Sequence, residues 1–167
     1  MKKIIVLFSL LIAFSCEDKD EAEETSSLVG TWEMSNLGEY ANADCSGTID
    51  YSEWAVASAF KMLVTMELTS DGKGTYSVSA FGETQDMSVT WDESKSQICL
   101  MGEGCVTYNT YYDSKNTISY LTFDTQDEAL CVDDNDEETS HTDQSSCEYA
   151  GNNWEEAVCT QMEFTKE

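Results

Sequence analysis

Apolar and polar side chains alternate through much of the chain, with the two-residue period of a half-buried β-strand. The clearest example is residues 62–69, where every second side chain is apolar: Met62, Val64, Met66 and Leu68. The same alternation returns in residues 75–81, which place Tyr76, Val78 and Ala80 on one side, and in residues 87–91, at Met87, Val89 and Trp91. Asp71 and Gly72, a pair typical of tight hairpin turns, separate the first two segments. The pattern therefore predicts consecutive antiparallel hairpins.

The remaining segments extend this β pattern. Short strands are also predicted at residues 28–34, 97–101, 105–112, 117–124 and 160–165. One short helix is predicted at residues 54–62, after the first strand, because Trp54, Ala57 and Phe60 share a helical face. Short strands joined by turns are typical of an antiparallel meander. We therefore expect residues 28–167 to form one mainly β domain, a small barrel or sandwich.

The first predicted strand carries Gly30 and Trp32 in the spacing Gly-x-Trp. This spacing resembles the opening of the bacterial lipocalin-like lipoproteins, in which the Trp plugs one end of a barrel. The resemblance covers roughly residues 28–124 and implies a barrel of about eight strands that holds a small apolar ligand. Four aromatic side chains are candidates either to line such a cavity or to fill it: Trp91, Tyr108, Tyr112 and Tyr120.

Residues 42–53, with the sequence NADCSGTIDYSE, resemble the twelve-residue calcium loop of the EF-hand family. Such a loop takes oxygen ligands from positions 1, 3, 5, 7, 9 and 12 and turns on a Gly at position 6. Gly47 falls on that turn position, and Ile49 falls on the usual apolar position. The resemblance implies a structural calcium site with six ligands: Asn42, Asp44, Ser46, Thr48 through its backbone carbonyl, Asp50 and Glu53.

Two features of this segment depart from the EF-hand pattern. Position 1 is Asn42, a neutral side chain where the family usually has Asp, and no second loop of this kind follows. Residues 35–41 contain Gly38 and do not favour an entering helix. The alternative is an acidic surface loop that turns at Gly47 and binds no ion.

Residues 1–15 have the layout of a secretory signal, with Lys2 and Lys3 before an apolar run too short to span a membrane. Residues 13–16, Ala-Phe-Ser-Cys, resemble the lipobox of bacterial lipoproteins. This resemblance implies that Cys16 is lipidated and that the residues before it are removed. The alternative is an ordinary cleaved signal with a chance Cys.

Residues 16–27 are acidic and small and are predicted to form a solvated tether. Within them, Lys-Asp-Glu at residues 19–21 resembles the short acidic signal that directs some lipoproteins to the outer face of the outer membrane. The implied location is therefore the outer membrane, with exposure at the cell surface.

The chain contains 33 Asp and Glu residues against 8 Lys and Arg residues, for a formal net charge of −25. This balance excludes nucleic acid as a partner, because phosphate binding needs clustered cations. It also disfavours contact of the protein itself with an anionic membrane, so membrane contact is expected through the N-terminal lipid only. The charge favours solubility, divalent cations or basic partners.

Six cysteines remain besides Cys16, and an even number in an exported chain predicts up to three disulfides. Proximity in sequence favours Cys147–Cys159 and Cys99–Cys105, which leaves Cys45 to pair with Cys131. A zinc site is the alternative. It is disfavoured because the spacing between Cys99 and Cys105 is not that of a CxxC motif and no His supports it.

No catalytic constellation stands out. His141 is the sole His and lies within residues 131–143, an acidic segment that is predicted to be a solvated loop or, alternatively, to hold a second cation. Motifs such as GxSxG and HExxH are absent. We therefore predict no enzyme activity, with a carboxylate-based hydrolase as the alternative.

These patterns predict a lipid-anchored, exported binding protein that is lipocalin-like, with a structural calcium site and a small apolar ligand. The alternative is a surface interaction or scaffold lipoprotein whose core is filled and holds no ligand. No residue identifies the ligand or a protein partner.

Overall fold

The structure is a computed structural model that describes residues 26–102 and 104–167. The predicted signal at residues 1–15, Cys16 and nearly all of the predicted tether lie outside the described residues. Within the described part, no helix is both long and apolar enough to cross a membrane.

The described chain is dominated by β-strands, with two short α-helices and one 3-10 turn at Glu93–Lys95. The elements are β1 (Gly30–Asn42), β2 (Ser46–Asp50), α1 (Ser52–Ala59), β3 (Leu63–Leu68), β4 (Lys73–Ala80), β5 (Glu83–Asp92), β6 (Gln97–Leu100), β7 (Gly104–Tyr112), β8 (Ile118–Asp127), β9 (Leu130–Val132), α2 (Gln144–Tyr149), β10 (Asn153–Glu155) and β11 (Val158–Lys166).

Eight of these strands close into an antiparallel barrel. The order around the barrel is β1, β3, β4, β5, β6, β7, β8 and β11, and β11 pairs again with β1. Closure follows from the pairing of Trp32 with Lys166 and of Leu37 with Met162. The predicted mainly β fold with an antiparallel meander is confirmed, and of the two architectures expected, it is the barrel. The predicted helix at 54–62 is also present, as α1, which begins two residues earlier and ends three residues earlier.

Trp32 fills one end of the barrel, which we call the Trp32 end. Its side chain is fully buried, and its indole Nε1 donates a hydrogen bond of 2.8 Å to the carbonyl of Leu28. Lys166 lies over the indole, with Nζ 5.3 Å from the ring centroid, and donates to the carbonyl of Ser27. A buried indole needs a partner for its N–H, and Leu28 supplies it while packing into the same core.

At the opposite end, β1 continues beyond the predicted strand and forms a hairpin with β2; we call this the hairpin end. Residues 35–41 are therefore strand, after a register shift between Met34 and Asn36. Gly38 allows the hairpin to lie close, since a Cβ there would be 2.5 Å from Cδ1 of Tyr51 and 2.7 Å from the carbonyl of Asp50. A side chain larger than hydrogen at position 38 would displace that contact.

All six cysteines of the domain are paired, but two of the three predicted pairs are wrong. Cys99–Cys105 is confirmed, joining directly opposed residues of β6 and β7. The other bridges are Cys45–Cys159 and Cys131–Cys147 instead of Cys147–Cys159 and Cys45–Cys131. The physical reason is that strand pairing brings β11 beside the β1–β2 hairpin, which places Cys159 against Cys45. Cys147 then lies in α2, which packs against β9.

The chain between β8 and β11 forms a separate small unit at the hairpin end. In it β9 and β10 pair as a two-stranded sheet. Asp143 caps the N-terminus of α2, and its side chain accepts a hydrogen bond from the N–H of Ser146. The predicted acidic loop forms a turn, in which Asp133 accepts hydrogen bonds from the N–H groups of Asn135 and Glu137. These bonds lower the pKa of Asp133.

Candidate ligand-binding site

The barrel encloses an apolar cavity of about 200 Å³. Its walls come from inward-facing positions of seven strands, which the alternation in the sequence places on the same side of the sheet. The lining residues are Met66, Tyr76, Met87, Ile98, Leu100, Val106, Phe123, Met162 and Phe164.

Aromatic rings form one side of this cavity. Phe164 packs edge-on against Phe123, with ring centroids 5.4 Å apart, and against Tyr76 at 6.3 Å. These are favourable edge-to-face geometries and hold the rings in place. Met66, Met87 and Met162 supply much of the rest of the wall, and unbranched Met side chains adapt readily to the shape of a ligand.

The cavity carries little polar chemistry. Among the described residues, Tyr76 alone lines the cavity with an oxygen in its side chain, and burial raises the pKa of its hydroxyl. The hydroxyl therefore stays neutral at physiological pH. His141 lies outside the barrel, between β9 and α2, and does not line the cavity. The arrangement suits the binding of apolar surface.

The four aromatic residues that the sequence proposed for this cavity do not line it. Trp91 directs its indole N–H to the carbonyls of Thr69 and Lys73. Tyr108 is buried in the core, Tyr112 is exposed, and Tyr120 stacks on Tyr111 with centroids 4.3 Å apart. The alternation of apolar and polar residues predicted the lining of the cavity better. Met66, Tyr76 and Met87, which line it, all lie on the apolar face that this alternation predicts. Being aromatic did not by itself predict whether a residue lines the cavity.

The predicted calcium loop folds as the β1–β2 hairpin. At its tip, the amide of Asn42 donates hydrogen bonds of 3.1 Å to the carbonyl and to the hydroxyl of Ser46. That hydroxyl in turn donates to Asp44 at 2.5 Å. Gly47 has a φ of +95°, a conformation that favours glycine, but it lies within β2, and the turn itself is formed by residues 43–45. Three of the six predicted ligands, Asn42, Asp44 and Ser46, are therefore bonded to one another.

The other three predicted ligands border a separate depression of about 290 Å³. Thr48, Asp50 and Glu53 lie there with Glu39. Asp50 accepts a hydrogen bond of 2.9 Å from the N–H of Ser52, which lowers its pKa. In the part of the chain that the structure describes, no group of three or more acidic, His or Cys side chains lies close enough to hold a metal ion. Calcium binding by the six residues stays a prediction.

A calcium titration tests the predicted calcium site at residues 42–53. Binding through the twelve-residue loop would be saturable at about 10⁻⁴–10⁻³ M, the range of extracellular EF-hand modules, and Glu53→Gln would remove it. Glu83→Gln, which changes an exposed carboxylate of the β4–β5 hairpin, is the control. A titration of the unmodified protein without a saturable heat of binding would contradict the predicted calcium site.

A polar cluster that the sequence did not reveal fastens the hairpin to the outside of the barrel. Gln161 donates to the hydroxyl of Tyr40 at 2.7 Å and to Asp124 at 3.0 Å, and Tyr51 donates to Gln161 at 3.1 Å. Burial, followed by the hydrogen bond to Asp124, raises the pKa of Tyr40. These residues come from the hairpin, from β8 and from β11, which are distant in sequence. No local sequence pattern therefore predicts the cluster. It holds the hairpin while leaving the cavity apolar.

Comparison of the chain with protein-family models, curated proteins and solved structures found no match.

Proposed function

We propose that this protein is an exported barrel that binds a small apolar molecule, or the apolar part of a larger one, in its interior. The observation that carries the proposal is the cavity of about 200 Å³ walled by apolar side chains. A core built only for stability is packed closely, with few voids larger than a water molecule. A void of this size and polarity instead offers a favourable site for apolar surface.

The volume limits what the cavity alone can hold. A dry apolar cavity of about 150 Å³ is sufficient for a molecule the size of benzene, and drug-sized ligands occupy about 300–1,000 Å³. The cavity lies between these limits. It therefore suits a small ring system or a short alkyl chain, in the manner implied by the lipocalin-like Gly-x-Trp motif.

Export is supported by the disulfides together with the signal-like N-terminus. Three disulfides in one domain are typical of proteins that fold in an oxidising compartment. We propose that Cys16 carries the lipid and that residues 16–27 hold the barrel away from the outer membrane. Calcium binding by residues 42–53 is a separate proposal, and the cavity does not depend on it.

The fluorescence of N-phenyl-naphthylamine, a small neutral dye, tests the proposal. The purified full-length protein is expected to bind the dye saturably. Met87→Trp is expected to weaken binding at least about tenfold, because the indole occupies the volume that the ligand needs. Met101→Trp, the same substitution at a side chain that is 77% exposed and outside the cavity, is the control.

Equal binding by both variants would mean that the dye binds elsewhere. Absence of binding by the unmodified protein, with a normal thermal transition, would favour a surface interaction or scaffold protein with a filled core.

A further inference from the structure

The wall of the barrel is incomplete between β7 and β8. The ladder between these strands runs from the pair Tyr108–Phe123 to the pair Tyr112–Ile118. Toward the hairpin end it stops, so residues 104–107 pair only with β6 and residues 124–127 pair only with β11. We call the opening between these two segments the β7–β8 gap.

All eight residues of the two segments line one opening of about 600 Å³. Leu100, Val106 and Met162 line both this opening and the apolar cavity. The gap therefore lies directly beside the cavity. Backbone C=O groups on its two edges have no partner across the gap and can accept hydrogen bonds from the polar end of a ligand.

Disulfides stabilise both edges of the gap. Cys105 in β7 is bonded to Cys99 in β6. On the other side, Cys159 pairs with Gln126 in the ladder between β11 and β8 and is bonded to Cys45 of the hairpin. Each edge is thus tied to the strand or hairpin behind it, while no bridge crosses the gap.

Carboxylates line the gap, at Asp124 and Asp127, and a depression beside it. Asp127 borders the gap and also a neighbouring depression of about 450 Å³. Four further carboxylates share that depression: Glu128, Glu138, Glu155 and Glu156. They do not form a cluster that could hold a metal ion among the described residues. An organic cation, which needs no tight ligand shell, fits this spread of charge.

Most of the described lysines lie far from the gap, at the other end of the barrel. Of the five lysines in the described part of the chain, four lie at the Trp32 end: Lys73, Lys95, Lys115 and Lys166. Only Lys61 lies at the hairpin end. The gap is therefore on the acidic side of the barrel, where the potential attracts cations and repels anions.

We infer that the ligand is an amphipathic cation whose apolar chain lies in the cavity and whose charged end lies in the β7–β8 gap, beside Asp127. This inference rests on the proposed function of the cavity and adds the chemical class of its ligand. It also makes the gap the entrance to the cavity. An alkyl amine is the simplest molecule of this class.

Three ligands with the same chain and different ends test the inference. Octylamine, octanol and octanoate carry a cationic, a neutral and an anionic end at pH 7, and each is used to displace N-phenyl-naphthylamine from the full-length protein. Octylamine is expected to bind about tenfold more tightly than octanol, since a charge-assisted hydrogen bond is gained, and octanoate is expected to bind most weakly.

Substitution of Asp127 locates the charged end. Asp127→Asn is expected to abolish most of the preference for octylamine over octanol. Glu67→Gln removes the same charge from an exposed residue of β3 at the Trp32 end and is expected to keep the preference. Equal affinity for octylamine and octanol in the unmodified protein, or loss of the preference in both variants alike, would overturn the assignment of the charged end.

Stopped-flow association tests the entrance. Thr125→Trp narrows the gap without changing a residue that lines the cavity, and is expected to slow association of octylamine about tenfold. Thr90→Trp, on an exposed position of β5, is the control. An unchanged association rate in Thr125→Trp would overturn the assignment of the β7–β8 gap as the entrance to the cavity. Failure of the unmodified protein to bind the dye would instead overturn the proposed function itself.

Discussion

Removal of the Cys45–Cys159 disulfide, by replacing both residues with Ala, is expected to lower the free energy of unfolding by about 4–5 kcal/mol. The bridge joins residues 114 positions apart, so it restricts nearly the whole domain in the unfolded chain. It also ties the β1–β2 hairpin to β11, which completes the barrel. Urea denaturation of the variant and of the unmodified protein measures the difference.

The other two bridges are matched controls for this prediction. Cys131–Cys147 closes a segment of 16 residues and Cys99–Cys105 one of 6. The same chain-entropy relation gives losses of about 3 kcal/mol and about 2 kcal/mol for their paired Ala variants. A loss for the Cys45 and Cys159 variant no larger than that for Cys99 and Cys105 would contradict the long-range role assigned to this bridge.

Trp32→Ala is expected to lower the free energy of unfolding by about 3–5 kcal/mol. The side chain is fully buried at the Trp32 end, and its removal leaves both a cavity and the Leu28 carbonyl without its indole partner. Trp32→Phe, which keeps most of the apolar volume, is expected to lose less. Thermal and urea unfolding, followed by circular dichroism, measure both variants.

Tyr149→Ala is the surface control for this experiment. Tyr149 is 95% exposed, and a substitution at such a site is expected to change the free energy of unfolding by about 0.5 kcal/mol or less. If Trp32→Ala cost no more than Tyr149→Ala, the Trp32 end would not be a close-packed part of the core.

The two ends of the barrel differ in how they are closed. At the Trp32 end, Trp32 fills the barrel and Lys166 covers it. Toward the hairpin end, the ladder between β7 and β8 stops and the apolar cavity remains.

The sequence by itself determined the strands of the barrel. Alternation placed Met66, Tyr76 and Met87 on the inner face, and the Gly-x-Trp spacing pointed to Trp32 as a residue at one end. Proximity in sequence predicted the Cys99–Cys105 bridge correctly, although the same rule failed for Cys147 and Cys159. These features depend on side chains a few positions apart, which a local pattern records.

Only the tertiary structure decided the features that join distant segments. Residues 35–41, where the sequence does not favour a helix, lie in β1, because β11 pairs with residues 36–39 and β2 pairs with Glu39 and Tyr40. The same pairing places Cys159 beside Cys45, so that the two form a disulfide. Separately, β7 and β8 diverge toward the hairpin end, which opens the gap beside the cavity. Strand partners and register are set by closure of the whole barrel, and no short stretch of sequence contains that information.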